Sequence, residues 1–293
     1  MRLDQGAKDR APAHAVIGVD VSSDGSRIAT AGADGSVRIF DSETGKQLLA
    51  LRHQHCVPHG LCVVNRAVFN PDGSKLATTG WDATIRIIDA QSGRQLRVLR
   101  GHEPGGLGTY VVEWSRDGTR LLSTGHDGMR VWDLRTGRQL RAFPEGGGPG
   151  ESGAWSPDDK EVLTESGLGA PVWNASTGKQ LRLLATGAPV TELVFSHGGG
   201  RLAIGTLDQS SSTRIRDWPS GVETLRLPEG GIRLAFSPHA KLLAGVQPEP
   251  MPFVHIWTLD PERLLRIARR RVTRSLTADE CHRYLQHDCP KGD

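Results

Sequence analysis

Residues 125–140 read GHDGMRVWDLRTGRQL, and the plan of this stretch returns along most of the chain. Its second half, TGRQL at 136–140, recurs as TGKQL at 44–48, SGRQL at 92–96 and TGKQL at 177–181, and more loosely as SGVETL at 220–225. The glycines of these copies are Gly45, Gly93, Gly137, Gly178 and Gly221, spaced 41 to 48 residues apart. Upstream, MRVWD at 129–133 matches VRIFD at 37–41, IRIID at 85–89, PVWN at 171–174, TRIRD at 213–217 and VHIW at 254–257. Each unit opens with a third marker: VSSDGSRIAT, FNPDGSKLAT, WSRDGTRLLS, WSPDDKEVLT, FSHGGGRLAI or FSPHAKLLAG. Self-similarity at this period is the mark of a stacked repeat architecture. The units run at about 14–55, 56–103, 104–147, 148–187, 188–231 and 232–260.

Each unit reads as four short strands split by turns. In the first, AVIGVDV, SRIATAG, SVRIFD and KQLLALR are runs rich in β-formers, and Asp-Gly or Thr-Gly falls between them. Such dipeptides supply the positive φ that tight hairpins need. Apolar residues alternate too loosely for a sheet wetted on one face. Blades buried on both faces by their neighbours fit better, since one four-stranded blade cannot cover its own apolar surface. The expected fold is all-β, a ring of six blades that leaves only short edges exposed.

On these markers the chain resembles the WD-repeat β-propeller family. The third unit matches best, with Gly101-His102, then Ser123, Asp127 and Trp132-Asp133. The resemblance implies that His102, Ser123, Asp127 and Trp132 form a hydrogen-bonded tetrad tying the blade together. Buried Asp and His must find partners or cost several kcal/mol, roughly 2–7 for a polar group. Thr30 with Asp34, and Thr78 with Asp82, keep part of the tetrad; Phe40, Ile88 and Arg216 stand where Trp would. Trp173 and Trp257 remain without the turn Asp, and Trp218 breaks the pattern by following Asp217.

Composition agrees with this class. The 293 residues are 37% hydrophobic, 24% charged and 5% aromatic, with 36 glycines, which favours turns and short strands over long helices. Net charge is +3, thinly spread except at Arg269, Arg270, Arg271 and Arg274. A nucleic-acid reader shows a more clustered excess, so nucleic acid is not expected as a partner. The Arg run reads as a solvated helix or one docked on the rim. No apolar run spans a bilayer and residues 1–15 lack a signal-peptide core. Four cysteines are too few for a disulfide-built domain. A cytoplasmic location with no membrane partner is the expectation.

Residues 1–13 are a polar extension, with Pro12 making a poor strand. After Trp257 the period changes. Asp260-Pro261-Glu262 is a helix start, and Thr277–Glu280 has the form of a capping box, giving a short helical tail over 261–293. RSLTADECHRYLQHDCP resembles a tail found after propellers in large bacterial proteins. That resemblance implies a signalling context, in which an NTPase or kinase-like domain lies upstream in related chains. The helix falls where the sixth blade needs its outermost strand. Two designs remain open: a closed six-bladed ring with an irregular seam, or the C-terminal portion of a longer design, six units being one short of the seven commonest in the family it resembles.

Candidate sites are few. HQHCVPHGLC carries His53, His55, Cys56, His59 and Cys62, all residue types that bind zinc. Their spacing matches no standard zinc pattern, so a polar surface loop is the reading and no metal or cofactor is expected. Cys281 and Cys289 read as a packed thiol and a tail-end thiol. EGGGPGESG at 145–153 lacks the Lys-Ser/Thr ending of a phosphate loop and reads as a linker. An enzyme using the central channel would need carboxylates or His pointing inward. The repeats place Ala29, Ala77 and Ala203 on inner strands instead, which argues against catalysis. The resemblance sets Trp81 and His126, each one residue before a turn Asp, on the top rim. There Trp81 either anchors a protein partner or packs on the next blade. The expected function is therefore a non-enzymatic scaffold or sensor module.

Overall fold

The repeated turns are built alike. Asp41, Asp89 and Asp133 each accept the backbone N–H and the hydroxyl of the residue three positions on, at 2.6–3.0 Å. Asn174 does the same for Thr177. The glycine that follows turns the chain at φ 72–75°, which a side chain resists. Four sheets share this corner, and the fifth keeps the glycine, Gly221 at φ 74°, while Ser220 Oγ donates to the Asp217 carbonyl instead.

In the computed structural model the described residues are 15–53, 63–103, 108–143, 152–207, 212–228, 232–247 and 253–260, with Glu262, Arg263 and Arg266. Blade 1 holds β1 Val16–Val21, β2 Arg27–Gly32, β3 Ser36–Asp41 and β4 Gln47–Arg52. Blade 2 holds β5 Val64–Phe69, β6 Lys75–Gly80, β7 Thr84–Asp89 and β8 Gln95–Arg100. Blade 3 holds β9 Thr109–Trp114, β10 Arg120–Gly125, β11 Gly128–Asp133 and β12 Gln139–Phe143. Blade 4 holds β13 Gly153–Trp155, β14 Glu161–Thr164, β15 Gly169–Asn174 and β16 Gln180–Ala185. Blade 5 holds β17 Val190–Phe195, β18 Arg201–Thr206, β19 Thr213–Asp217 and β20 Glu223–Leu227. Blade 6 holds β21 Ile232–Phe236, β22 Leu242–Gln247 and β23 Phe253–Thr258. Every sheet is an antiparallel meander in chain order, and the six form a β-propeller. The first strand of each blade lies beside the first strand of the next, from β1 to β21, around the hub.

The core lies between blades. Ala29, Ala31, Val37 and Ile39 of blade 1 pack on Val64, Ala67, Phe69 and Leu76 of blade 2. The same layer recurs between blades 2 and 3, 3 and 4, 4 and 5, and 5 and 6. Each blade thus has a leading face toward the blade before it and a trailing face toward the blade after. Ala29, Ala77 and Ala203, expected to border the channel, lie on trailing faces inside these layers. Trp218 is repacked: it meets Phe195 edge-on at 5.0 Å and carries Arg182 over its ring at 4.8 Å.

The sixth sheet has three strands among the described residues. The chain turns helical at Glu262–Arg263, where a fourth strand follows in the other blades. Asp260 Oδ1 caps that turn, accepting from the backbone N–H groups of Glu262 at 3.0 Å and Arg263 at 3.3 Å. Apart from Arg266, the rest of 261–293, with Cys281, Cys289 and the Arg run, lies outside the described residues, as do 1–14.

Candidate partner-binding rim

The second-to-third-strand turns and the inter-blade connections share one end of the ring. Three blades tie them together with the same backbone bond. Ala33 N–H donates to Ala15 O at 2.9 Å, Trp81 to Val63 O at 3.1 Å and Leu207 to Pro189 O at 2.9 Å. Trp81 and Leu207 are therefore equivalent residues on equivalent turns. His126 holds the same place in blade 3, between Gly125 and Asp127. In blade 4 the turn presents Leu168, 68% exposed, and in blade 5 Leu207 is 50% exposed. Trp81 and His126 are half-buried. One end of the disc thus offers an aromatic ring, an imidazole and two aliphatic side chains on four successive blades. The sequence reading found Trp81 and His126 but missed Leu168, whose turn lacks the Asp that served as landmark, and Leu207, although Asp208 follows it as Asp82 follows Trp81.

This rim stands on a rigid support. His102, Ser123, Asp127 and Trp132 lie in one chain of hydrogen bonds. Trp132 Nε1 donates to Ser123 Oγ at 2.8 Å, His102 Nε2 meets Ser123 Oγ at 2.7 Å, and His102 Nδ1 meets Asp127 Oδ1 at 2.6 Å. Asp127 Oδ2 also accepts the Glu103 N–H at 2.7 Å and pairs with Arg130 at 2.8 Å. Burial holds the His102 imidazole below its usual range even against the Asp127 carboxylate, so it is neutral at pH 7. The Asp127 carboxyl pays for its own burial, yet bonds from His102 and Glu103 hold it below the usual carboxylate range.

Blade 2 completes a similar set in an unexpected way. His53, read from sequence as part of a surface loop, is 5% exposed, and its Nε2 lies 2.9 Å from Thr78 Oγ1. It occupies the place of His102, reached without the preceding glycine. The signal was its position directly after the fourth strand, as His102 stands after β8. Asp82 accepts from Thr84 at 3.0 and 2.8 Å and pairs with Arg86 at 2.7 Å. Asp34 accepts from the Ser36 N–H at 3.0 Å, with Arg38 at 3.7 Å, and Thr30 is buried beside it on β2. Blade 4 keeps the other half: Trp173 Nε1 donates to Thr164 Oγ1 at 3.1 Å. The remaining zinc-type residues, His55, Cys56, His59 and Cys62, lie outside the described residues. Among the described residues no three His, Cys, Asp or Glu side chains group to hold a metal.

Gly108 fixes how blade 3 meets Trp81. It sits at φ +73°, and a Cβ there would fall 2.3 Å from Gly80 O and 2.5 Å from Trp81 Cα. Both contacts are with backbone, which cannot rotate away. Gly108→Ala is expected to lower Tm by several degrees, roughly 1–2 kcal/mol of strain and lost contact. It also moves the Trp81 turn. The change in tryptophan emission should vanish when Gly108→Ala is made on a Trp81→Phe background.

The channel differs from expectation. A cavity of about 280 Å³ at the hub is lined by Asp20, Arg66, Glu113 and Glu192 among aliphatic residues. Two of the carboxylates act as clamps between blades. Asp20 Oδ2 accepts the Phe69 N–H at 2.8 Å, and Glu113 Oε2 accepts the Trp155 N–H at 3.0 Å. Phe69 and Trp155 end the first strands of blades 2 and 4, so the two clamps are the same device. Burial raises both carboxyls, Glu113 to about 8.

The family model for the WD domain, G-beta repeat, matches residues 9–41, 50–89 and 93–133, over blades 1 to 3. Among solved structures, a chain in the crystal structure of a mitotic checkpoint complex aligns with a TM-score of 0.71. It covers 86% of this chain and 76% of its own length at 22% identity, a likeness of fold. No curated protein matches the sequence.

Proposed function

We propose that this chain, a WD-repeat β-propeller, is a non-enzymatic platform that binds protein partners through the rim bearing Trp81, His126, Leu168 and Leu207. The observation that carries this reading is the exposure of Leu168 and Leu207 on the same turns that present the aromatic ring of Trp81. Large apolar and aromatic side chains clustered on rigid turns are what interface anchors look like. A fold neighbour within a multiprotein complex is in keeping with it. The channel carboxylates favour the platform over a channel enzyme, since Asp20 and Glu113 are occupied in bonding adjacent blades. A place in a bacterial signalling system rests on the resemblance of the tail.

The test is proximity crosslinking in source cells, followed by binding measurements on the protein partner recovered. Trp81→Ala is expected to weaken that partner at least about 30-fold, the loss of a central anchor of about 2 kcal/mol. Leu168→Asp should act in the same direction. Lys46→Ala, on an exposed turn at the opposite end of blade 1, should leave binding unchanged. Equal binding by all of these variants would remove the rim from consideration.

A further inference from the structure

We infer that the hub cavity is a binding site for a small primary alkylamine, whose ammonium bonds the Glu113 carboxylate and whose alkyl body lies on the aliphatic wall of the inner strands. The site shares no residue with the rim, and either can fail without the other.

Three carboxyls, Asp20, Glu113 and Glu192, border the same cavity from blades 1, 3 and 5. Two of them face a cation. The Arg66 guanidinium, on the same wall, draws the Asp20 carboxyl down against its burial. Arg233 Nη1 lies 3.7 Å from Glu192 Oε2. Glu113 pairs with no cation among the described residues. Its Oε2 takes the Trp155 N–H at 3.0 Å, and the charged group that acts on it is another carboxylate, Asp159. Its Oε1 receives no bond from the described residues and stays accessible from the cavity. The hub is one positive charge short at this atom.

The kind of cation follows from what Glu113 offers. A guanidinium binds best as a fork on both oxygens of a carboxylate. Glu113 presents one, because the other joins blades 3 and 4. An ammonium is a compact charge that a single oxygen holds. Val68, Val111, Leu193 and Val194 form much of the remaining wall and give an alkyl chain apolar surface to cover. At about 280 Å³ the cavity stands at the small end of ligand pockets, which run to roughly 300–1,000 Å³. It suits a short amine.

Binding carries a proton balance. Burial keeps Glu113 protonated at pH 7. The carboxylic acid releases its proton to solvent as the ammonium, already charged, bonds the carboxylate left behind. Affinity therefore rises with pH up to about 8, where Glu113 ionises without a ligand, and levels off above it. The other charged groups around it are Asp20, Glu192 and Asp159, with Arg66 and Arg233. Both arginines keep their charge throughout this range.

The probe is n-butylammonium chloride, added to the full chain and followed by titration calorimetry and melting. The expected result is one site whose affinity rises about tenfold from pH 7 to pH 9. About one proton should be released per amine at pH 7 and almost none at pH 9, read from buffers of different ionisation heat. At ten times Kd, Tm should rise by about 3–5 °C over a potassium chloride control. Glu113→Gln should fold and weaken binding at least about tenfold, the loss of a charge-assisted bond. Glu43→Gln, an exposed carboxyl on a blade 1 turn, should change nothing. Equal binding by wild type and Glu113→Gln overturns the inference, and so does an affinity that does not change with pH. Butyrate binding as tightly as the amine would assign the cavity to Arg66 and an anion and overturn it. n-Butylguanidinium binding more tightly than the amine, or potassium chloride alone giving the same rise in Tm, overturns it too. So does the absence of both heat and Tm change at about 20 mM amine and pH 9.

Discussion

Trp132→Ala should lower the melting temperature by roughly 10 °C or more, the largest loss expected from one substitution in the third blade. Trp132 is 2% exposed and packs among Val112, Trp114 and Leu121 of its own blade and Ile85, Ile87 and Leu99 of blade 2. Removing the indole leaves a cavity at that layer, worth about 3–5 kcal/mol. The loss does not stop there. Ser123 Oγ is fully buried and loses its indole donor, and His102 loses the ring tilted against it at 6.3 Å. Trp132→Phe separates the two effects. Blade 1 has Phe40 at this position, 2% exposed, so a benzyl ring fits the slot. The expected loss for Trp132→Phe is then that of the Ser123 bond plus a small gap, about 1–2 kcal/mol. Circular-dichroism melts of the two variants decide it. Similar losses for Phe and Ala would place the stabilisation in the hydrogen bond rather than the packing.

The fold was legible because propeller blades are built from local turns. The landmarks TGKQL, SGRQL and TGRQL each encode a corner that forms from neighbouring residues alone, and the structure uses all of them alike. What depends on contacts between blades was less legible. His53 sits in a segment that looks like a polar loop, and only its approach to Thr78 of the next blade gives it a partner. Ala29, Ala77 and Ala203 are small because a neighbouring sheet presses on them, not because a channel runs past. Leu168 carries no repeat marker, since exposure at a turn constrains no pattern, whereas Leu207 precedes Asp208 as Trp81 precedes Asp82 and was legible by that sign. Glu113 was invisible for the opposite reason. A single acidic residue in an apolar strand has no period, and its bond to the Trp155 N–H appears only when blades 3 and 4 are side by side.

Glu113→Gln should change stability in a pH-dependent way that few other substitutions would imitate. Burial pushes the Glu113 carboxyl up to about 8, the bond from the Trp155 N–H opposes this, and the Asp159 carboxylate adds to it. The folded chain therefore holds this proton where the unfolded chain, with an ordinary carboxyl near 4.5, has released it. A group whose folded pKa is raised contributes stability that is fully present below the unfolded value. It is lost as pH rises through the folded value. Glutamine keeps an oxygen that accepts from Trp155 and has no proton to lose. At pH 4 to 5 the two proteins should melt within about 2 °C of each other, since both side chains are then neutral in the folded state. From pH 5 upward the wild type should fall behind steadily, and above pH 8 the difference should level off at several degrees in favour of Gln. His102 acts in the reverse sense. Its folded pKa is depressed by burial, so its contribution is full above about 6.5 and is lost in acid, equally in both proteins. The comparison of wild type with Glu113→Gln thus cancels the tetrad and reads the clamp alone. A constant difference from pH 5 to pH 9 would mean that Glu113 is ionised throughout. The clamp would then be a charged acceptor, and blades 3 and 4 would be joined by a salt-sensitive contact rather than a neutral one.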